Sequence, residues 1–111
     1  MMQISPRELV ALCGASTGEP LRLLDVREPW EAALASIRLE GAEARLMPMS
    51  QVPALCSTLD PKQPIVCYCH HGVRSLQVVA FLLRQGFETV YNLAGGIDAW
   101  SQDIDASVSR Y

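Results

Sequence analysis

The stretch Cys69-His70-His71-Gly72-Val73-Arg74-Ser75 sets a thiol, two imidazoles and a guanidinium close together around a glycine. A cysteine attacks as its thiolate, so it needs a setting that favours negative charge. Arg74, with four residues between it and the cysteine, brings a fixed charge and a fork of donors suited to oxyanions. Gly72 between them lets the backbone turn tightly and aim its amides inward. The stretch describes an anion cradle with a nucleophile at its centre. His70 and His71 have two readings: their rings add charge or shuttle a proton, or the rings face solvent and only their backbone amides take part.

The neighbouring sequence must position that cradle. Ile65 to Tyr68 is a short apolar run after Pro61 and Pro64, of the length and β-branched content of a buried strand. From Leu76 onward Leu76, Val79, Ala80 and Leu83 recur at helical spacing, and Gly86 stops the pattern. Cys69 to Arg74 is then the connection between a strand end and a helix start. Unpaired N–H groups and the helix dipole favour an anion there. Cys67, one strand residue before the tip, is expected to be an inert buried side chain.

Upstream, Ser5-Pro6-Arg7-Glu8 is a helix start, with Ser5 as cap, Pro6 in the first turn and Glu8 completing a capping box. That helix is expected to end at Gly14 and Gly18, with Cys13 as a small core residue. Leu21 to Val26 is a second buried strand. It places Asp25 and Arg27 on the same rim as Cys69, because ligands gather beyond the carboxyl ends of parallel strands. There they either line the pocket mouth or support it, Asp25 accepting from loop amides and Arg27 pairing with a carboxylate such as Glu31. Pro29 to Leu34 is a short helix. Leu46 to Met49 is expected to be a strand ended by Pro48, and Ser50 to Leu59 a helix with Pro53 in its first turn. Thr89 to Leu93 is a last strand. Gly95-Gly96 opens a final helix in which Ile97 and Trp100 anchor the core. For the tail, residues 102–111, packing of Val108 and Tyr111 and fraying are equally open.

Four segments in register resemble the rhodanese-like sulfurtransferases. Leu24-Asp25-Val26-Arg27-Glu28-Pro29-Trp30-Glu31 is similar to the family's first-strand motif, and Gly41-Ala42 with Met47-Pro48 to its second-strand region. The Cys69 to Ser75 stretch is similar to the active-site loop, and Asn92-Leu93-Ala94-Gly95-Gly96-Ile97-Asp98-Ala99-Trp100 to the closing motif. Ser36-Ile37 stands where the family usually has a His-Ile pair, and the segment from Ala42 to Pro48 is about two residues longer than the family pattern. The resemblance spans about residues 4–101. It implies a three-layer α/β fold with a parallel sheet of about five strands and helices on both faces. It also implies a persulfide carried on Cys69, substrate contacts from His70, Gly72, Val73, Arg74, Ser75 and His71, and a mainly supporting role for Asp25 and Arg27. The expected partners are a small anionic sulfur donor and a thiol, cyanide or protein acceptor, with no cofactor.

Composition narrows the alternatives. At 111 residues the chain is expected to be one domain, residues 1–111, and its formal charge of −3 without a Lys/Arg block argues against nucleic acid. No apolar run approaches the roughly 20 residues that span a bilayer. Met1 to Pro6 lacks a signal peptide's basic and apolar regions, so the expected compartment is the cytoplasm. The four cysteines, Cys13, Cys56, Cys67 and Cys69, do not form a disulfide framework in a chain this size. Cys67 to His71 holds several zinc-type ligands, but ligands in consecutive positions close a tetrahedron poorly and no second Cys/His cluster exists, so no metal is expected. Phosphatase or arsenate reductase chemistry would also use a cysteine and an arginine, with a loop one residue longer and an acid for the leaving group. The third reading, from a different class, is a rhodanese-like module that binds a partner without catalysis.

Overall fold

The computed structural model describes residues 3–15 and 20–111. Gly18, expected to help end the first helix, and Met1 and Met2 lie outside the described residues. A five-stranded parallel sheet runs in the order β1-β5-β4-β2-β3, built from β1 (Gln3–Ile4), β2 (Leu21–Asp25), β3 (Ala42–Leu46), β4 (Ile65–Tyr68) and β5 (Val90–Leu93). The helices are α1 (Pro6–Ala15), α2 (Pro29–Leu34), α3 (Val52–Leu55), α4 (Val73–Arg84) and α5 (Gly96–Asp103). This is the α/β architecture with helices on both faces.

Alternation along β4 explains why the sheet is covered twice. Ile65 and Cys67 point to one face, where they join Val78, Val79 and Leu82 of α4 and Val52 of α3. Val66 and Tyr68 point to the other, where Leu9 of α1 and Ile97 and Trp100 of α5 wait. Every residue of β4 is buried, as a central parallel strand demands. Trp100 is a core anchor, as its spacing with Ile97 predicts. The capping box at the first helix also forms. The Glu8 amide donates to Ser5 Oγ at 3.1 Å, and the Ser5 amide donates to Glu8 Oε1 at 2.9 Å.

The chain departs from the sequence expectations at its polar edges. The third strand is Ala42–Leu46, earlier than Leu46 to Met49. Its Glu43 is exposed and its Arg45 half-buried on a sheet edge, where charge replaces apolar alternation. The span from Ser50 to Leu59 is not one helix but a 3₁₀ turn (Met49–Gln51), α3 and a second 3₁₀ turn (Cys56–Thr58). The Thr58 hydroxyl donates to the Leu55 carbonyl at 2.7 Å, competing with helical bonding there. β1 was not legible in two residues. It exists because the edge of β5 offers partners for Gln3 and Ile4.

Among the described residues, no helix is long and apolar enough to cross a membrane.

Candidate active site

The cradle is tighter than the sequence suggests. The connection after β4 is Cys69–Gly72, and α4 begins at Val73 rather than near Leu76. Gly72 caps the helix with φ +101°, a left-handed conformation that favours glycine. Starting early puts Arg74 and Ser75 in the first helical turn. Ser75 thereby faces back over the thiol.

Three donors converge on the Cys69 sulfur: the Gly72 amide at 3.1 Å, the Ser75 amide at 3.4 Å and the Ser75 hydroxyl at 3.3 Å. Burial pushes the Cys69 thiol up, but hydrogen bonds from the Ser75 hydroxyl and from the amides of Ser75, Gly72 and Arg74 outweigh it. Its pKa falls below the usual thiol value. Cys67, two residues away in the strand, has no such donors, and burial pushes it far up. One thiol is activated and its neighbour is inert.

The loop is aimed by what holds its carbonyls. The amides of Ile97 and Asp98 in the first turn of α5 donate to the carbonyls of Cys69 at 2.9 Å and His70 at 3.1 Å. With the carbonyls bound on that side, the loop amides turn toward the sulfur. Gly96 makes the approach possible: its φ is +61°, and a Cβ there would overlap the carbonyl oxygens of Cys69 and His70. Asn92 of β5 completes the seat. Its Nδ2 donates to the Gly72 carbonyl at 3.1 Å and to Gln3 Oε1 at 2.9 Å, which turns Oδ1 to accept the Ser75 hydroxyl at 2.5 Å. A hydroxyl carries one proton, so Cys69 and Asn92 share the same donor.

Arg74 is committed elsewhere. Its two terminal nitrogens donate to both oxygens of Glu31 on α2, at 2.6 and 2.8 Å, in a bidentate pair. The hydrogen bonds from Arg74 hold the Glu31 carboxyl down to about 2, against the opposing effect of burial. Arg27 and Asp25 form the second buried pair, with Nε to Oδ1 at 2.9 Å and Nη2 to Oδ2 at 2.7 Å. This corrects one expectation: Arg27 does pair with a carboxylate, but it is Asp25, Glu31 giving it only a backbone carbonyl at 3.4 Å. Asp25 accepts a loop amide, that of Arg27 itself, at 3.0 Å and also the Tyr68 hydroxyl at 3.2 Å. Arg27 is fully buried and also donates to the Ala35 carbonyl at 2.7 Å, so the pair holds the turn after β2 in place.

The two histidines separate. His71 is mostly exposed, whereas the His70 ring lies between His71 and Tyr111, with centroids 3.9 Å away on each side. Burial and then the neighbouring His71 lower the His70 pKa. Val73 is largely exposed at the mouth of the loop. The tail is packed rather than frayed. The Ser101 hydroxyl donates to the Val108 carbonyl at 2.6 Å, and Arg110 pairs with Asp98 at 2.9 Å. His70, His71 and Asp98 place potential metal-ligand atoms within 4.8 Å of one another. Both Asp98 oxygens, however, already accept from Arg110, at 2.9 and 3.3 Å.

Glu31, Asn92, the α5 amides and Tyr111 were missed by sequence reasoning as parts of this site. Gly95-Gly96 was the one local signal for any of them. The others join it through contacts between distant parts of the chain.

Comparisons with known proteins bear on the fold and the family. The model of the Rhodanese-like domain matches residues 5–103. A sulfurtransferase of Allochromatium vinosum is 38% identical over 84 residues, covering 76% of this chain and 75% of that protein. The rhodanese-like/PpiC domain-containing protein 12 of Arabidopsis thaliana, a chloroplastic protein, is 40% identical over 94 residues. That match covers 81% of this chain but only 30% of the Arabidopsis protein's length. Among solved structures, a rhodanese-like domain protein from Staphylococcus aureus superposes with a TM-score of 0.80 at 29% identity, covering 100% of this chain and 99% of that one. With the matched region running from the first helix through the last and holding the whole Cys69 seat, the chain belongs to the rhodanese-like domain family.

Proposed function

We propose that the protein is a sulfurtransferase that carries sulfane sulfur on Cys69. The observation that carries this reading is the convergence of the Gly72 amide, the Ser75 amide and the Ser75 hydroxyl on one sulfur. Such a seat stabilises a thiolate and suits the anionic outer sulfur of a persulfide. The Allochromatium relative's name supports the same chemistry.

In the first half-reaction the Cys69 thiolate attacks the outer sulfur of a thiosulfate-type donor. The new bond joins Cys69 Sγ to that sulfur, the donor's S–S bond breaks, and sulfite leaves with the electron pair. In the second, cyanide or an acceptor thiolate attacks the outer sulfur, and the Cys69 thiolate is restored. Thiocyanate or an acceptor persulfide is the product, and the course is ping-pong. His70, His71, Gly72, Val73, Arg74 and Ser75 surround the donor. Backbone amides and Ser75 supply most of the anion stabilisation. Arg74 contributes its charge from the rim while paired with Glu31, and Asp25 and Arg27 support the pocket from behind. No cofactor enters this scheme. The four free cysteines suit a reducing compartment such as the cytoplasm.

Intact mass after brief incubation with thiosulfate tests the reading. Gain of one sulfur atom, lost on adding cyanide and absent in Cys69→Ser, is the expected result. Sulfur transfer retained in Cys69→Ser, or no gain from thiosulfate or an organic persulfide despite a reactive thiol, overturns it. Hydrolysis of an aryl phosphate would then favour the phosphatase alternative.

A further inference from the structure

One side chain outside the family-matched region, Tyr111, touches the surroundings of the thiol on several sides. Its ring stacks on His70, the residue directly after the nucleophile, at 3.9 Å and 10° between planes. Trp30 of α2 meets it edge-on at 6.3 Å. Its hydroxyl accepts from Arg27 Nη1 at 2.9 Å and donates to Glu31 Oε2 at 2.7 Å. Glu31 is the same carboxylate that holds Arg74. The ring therefore fills the space between α2 and the Cys69 loop. It is tied to both.

Its position is fixed from behind as well. Val108 packs on the core face that holds Trp100 and Ile97, and Arg110 pairs with Asp98 of α5. The His70 ring, sandwiched between His71 and Tyr111, has a buried Nε2 with no partner. A buried polar atom without a partner is disfavoured. The sandwich holds the ring in place despite that.

We propose that Tyr111 is a specificity-determining residue: its ring forms one wall of the Cys69 site, fixes His70, and limits the site to sulfur donors with a compact oxyanion head. The class admitted is a small thiosulfonate-type anion, and the class excluded on this side is a thiosulfonate bearing an aryl group. This rests on the sulfur-transfer reading of Cys69. The hydroxyl and the ring have separable duties. The ring excludes bulk, and the hydroxyl braces Glu31 and Arg27.

The test compares wild type, Tyr111→Phe and Tyr111→Ala with two donors, thiosulfate and benzenethiosulfonate. Either donor gives up its outer sulfur to the Cys69 thiolate, releasing sulfite or benzenesulfinate with the S–S electron pair. Tyr111→Ala is expected to raise kcat/KM for the aryl donor relative to thiosulfate by about tenfold, the scale of discrimination that one missing apolar contact supplies. Tyr111→Phe is expected to keep the wild-type ratio, since it keeps the ring. Equal ratios in all three proteins overturn the proposal even if Tyr111→Ala melts earlier, because a purely structural role lowers both donors together. The same proteins alkylated with iodoacetamide and with N-phenylmaleimide, read at the Cys69 peptide by mass, provide a measure that needs no sulfur transfer. Relief of the bulky reagent in Tyr111→Ala alone supports the wall, and an unchanged reagent ratio overturns it. If wild type forms no persulfide while the reagent ratio shifts, the sulfur-transfer reading fails and the wall stands.

Discussion

The sulfur of Cys69 and the guanidinium of Arg74 lie on either side of the same helix start, and the protein holds them in opposite ways. The sulfur is seated by neutral groups, two amides and a hydroxyl, with no formal charge in contact. The guanidinium is matched by a full carboxylate in bidentate geometry. Charge placed by the sequence near a nucleophile is therefore not charge delivered to it. The amides are fixed dipoles that need no counter-ion and no reorganisation, which is what an anion that appears and disappears in each cycle requires. Arg74 instead fastens α2 to α4.

That contrast can be broken most severely where the backbone seat depends on close approach. Gly96→Ala places a methyl against the Cys69 and His70 carbonyls at a left-handed φ. It is expected to cost about 3 kcal/mol or more in urea unfolding and to abolish measurable sulfur loading. A loaded, stable variant would mean that the seat tolerates displacement and that its geometry is not the source of activation.

The charged side should break more gently. Glu31→Gln removes one partner of a pair whose carboxylate is buried and whose guanidinium is about one-third exposed. The cost of breaking a buried pair, discounted for that exposure, is about 1–2 kcal/mol. The sign of its pH dependence follows from the folded pKa of about 2. Because that value is below the unfolded carboxylate's roughly 4.3, the stabilisation is present above pH ~4.3 and is lost as pH falls through about 2. Denaturant midpoints of wild type and Glu31→Gln should converge across that window. A gap constant with pH would show that the pair contributes through packing alone.

Ser75→Ala gives the smallest effect and divides the neutral seat itself. Removing the hydroxyl raises the Cys69 pKa, so the pH profile of alkylation at Cys69 should move upward. The shift should be smaller than the loss of a dedicated hydrogen bond to a charge would give. It is small because Asn92 Oδ1 already competes for the same proton at 2.5 Å. An unmoved profile would leave the two amides as the whole cradle.

The legible parts of the molecule were those written in local pattern. β4 was read at its observed boundaries, Ile65–Tyr68, because a central strand buried on both faces is a plain apolar run. Cys69 and Gly72 were legible because a strand end, a glycine and a helix periodicity are adjacent in sequence. The start of α4 lies two residues earlier than the expected connection, Cys69 to Arg74, allows, because the helix begins where Gly72 caps it. Glu31 was named only as a partner for Arg27. Two arginines and two acids are interchangeable in sequence until the fold gives Asp25 to one and Glu31 to the other. Asn92 was legible only as part of the closing motif and Tyr111 only as a tail residue open to packing, because what makes them matter is the company they keep across the sheet and the tail.

Among the described residues, the side-chain hydrogen bonds that reach farthest along the chain all end around one thiol. Gln3 meets Asn92 across 89 positions, and Tyr111 meets Arg27 and Glu31 across 84 and 80. Contacts of such separation are the ones whose loop-closure cost is met late in folding. A chain with its central sheet already formed but its two ends still loose would therefore hold Cys69 in a strand tip without its outer bracing. Such a chain presents a thiol that is near the right place and incompletely sheltered. The speed at which Cys69 acquires its native reactivity during refolding is thus a clock for closure of the whole chain, not for the loop that contains it.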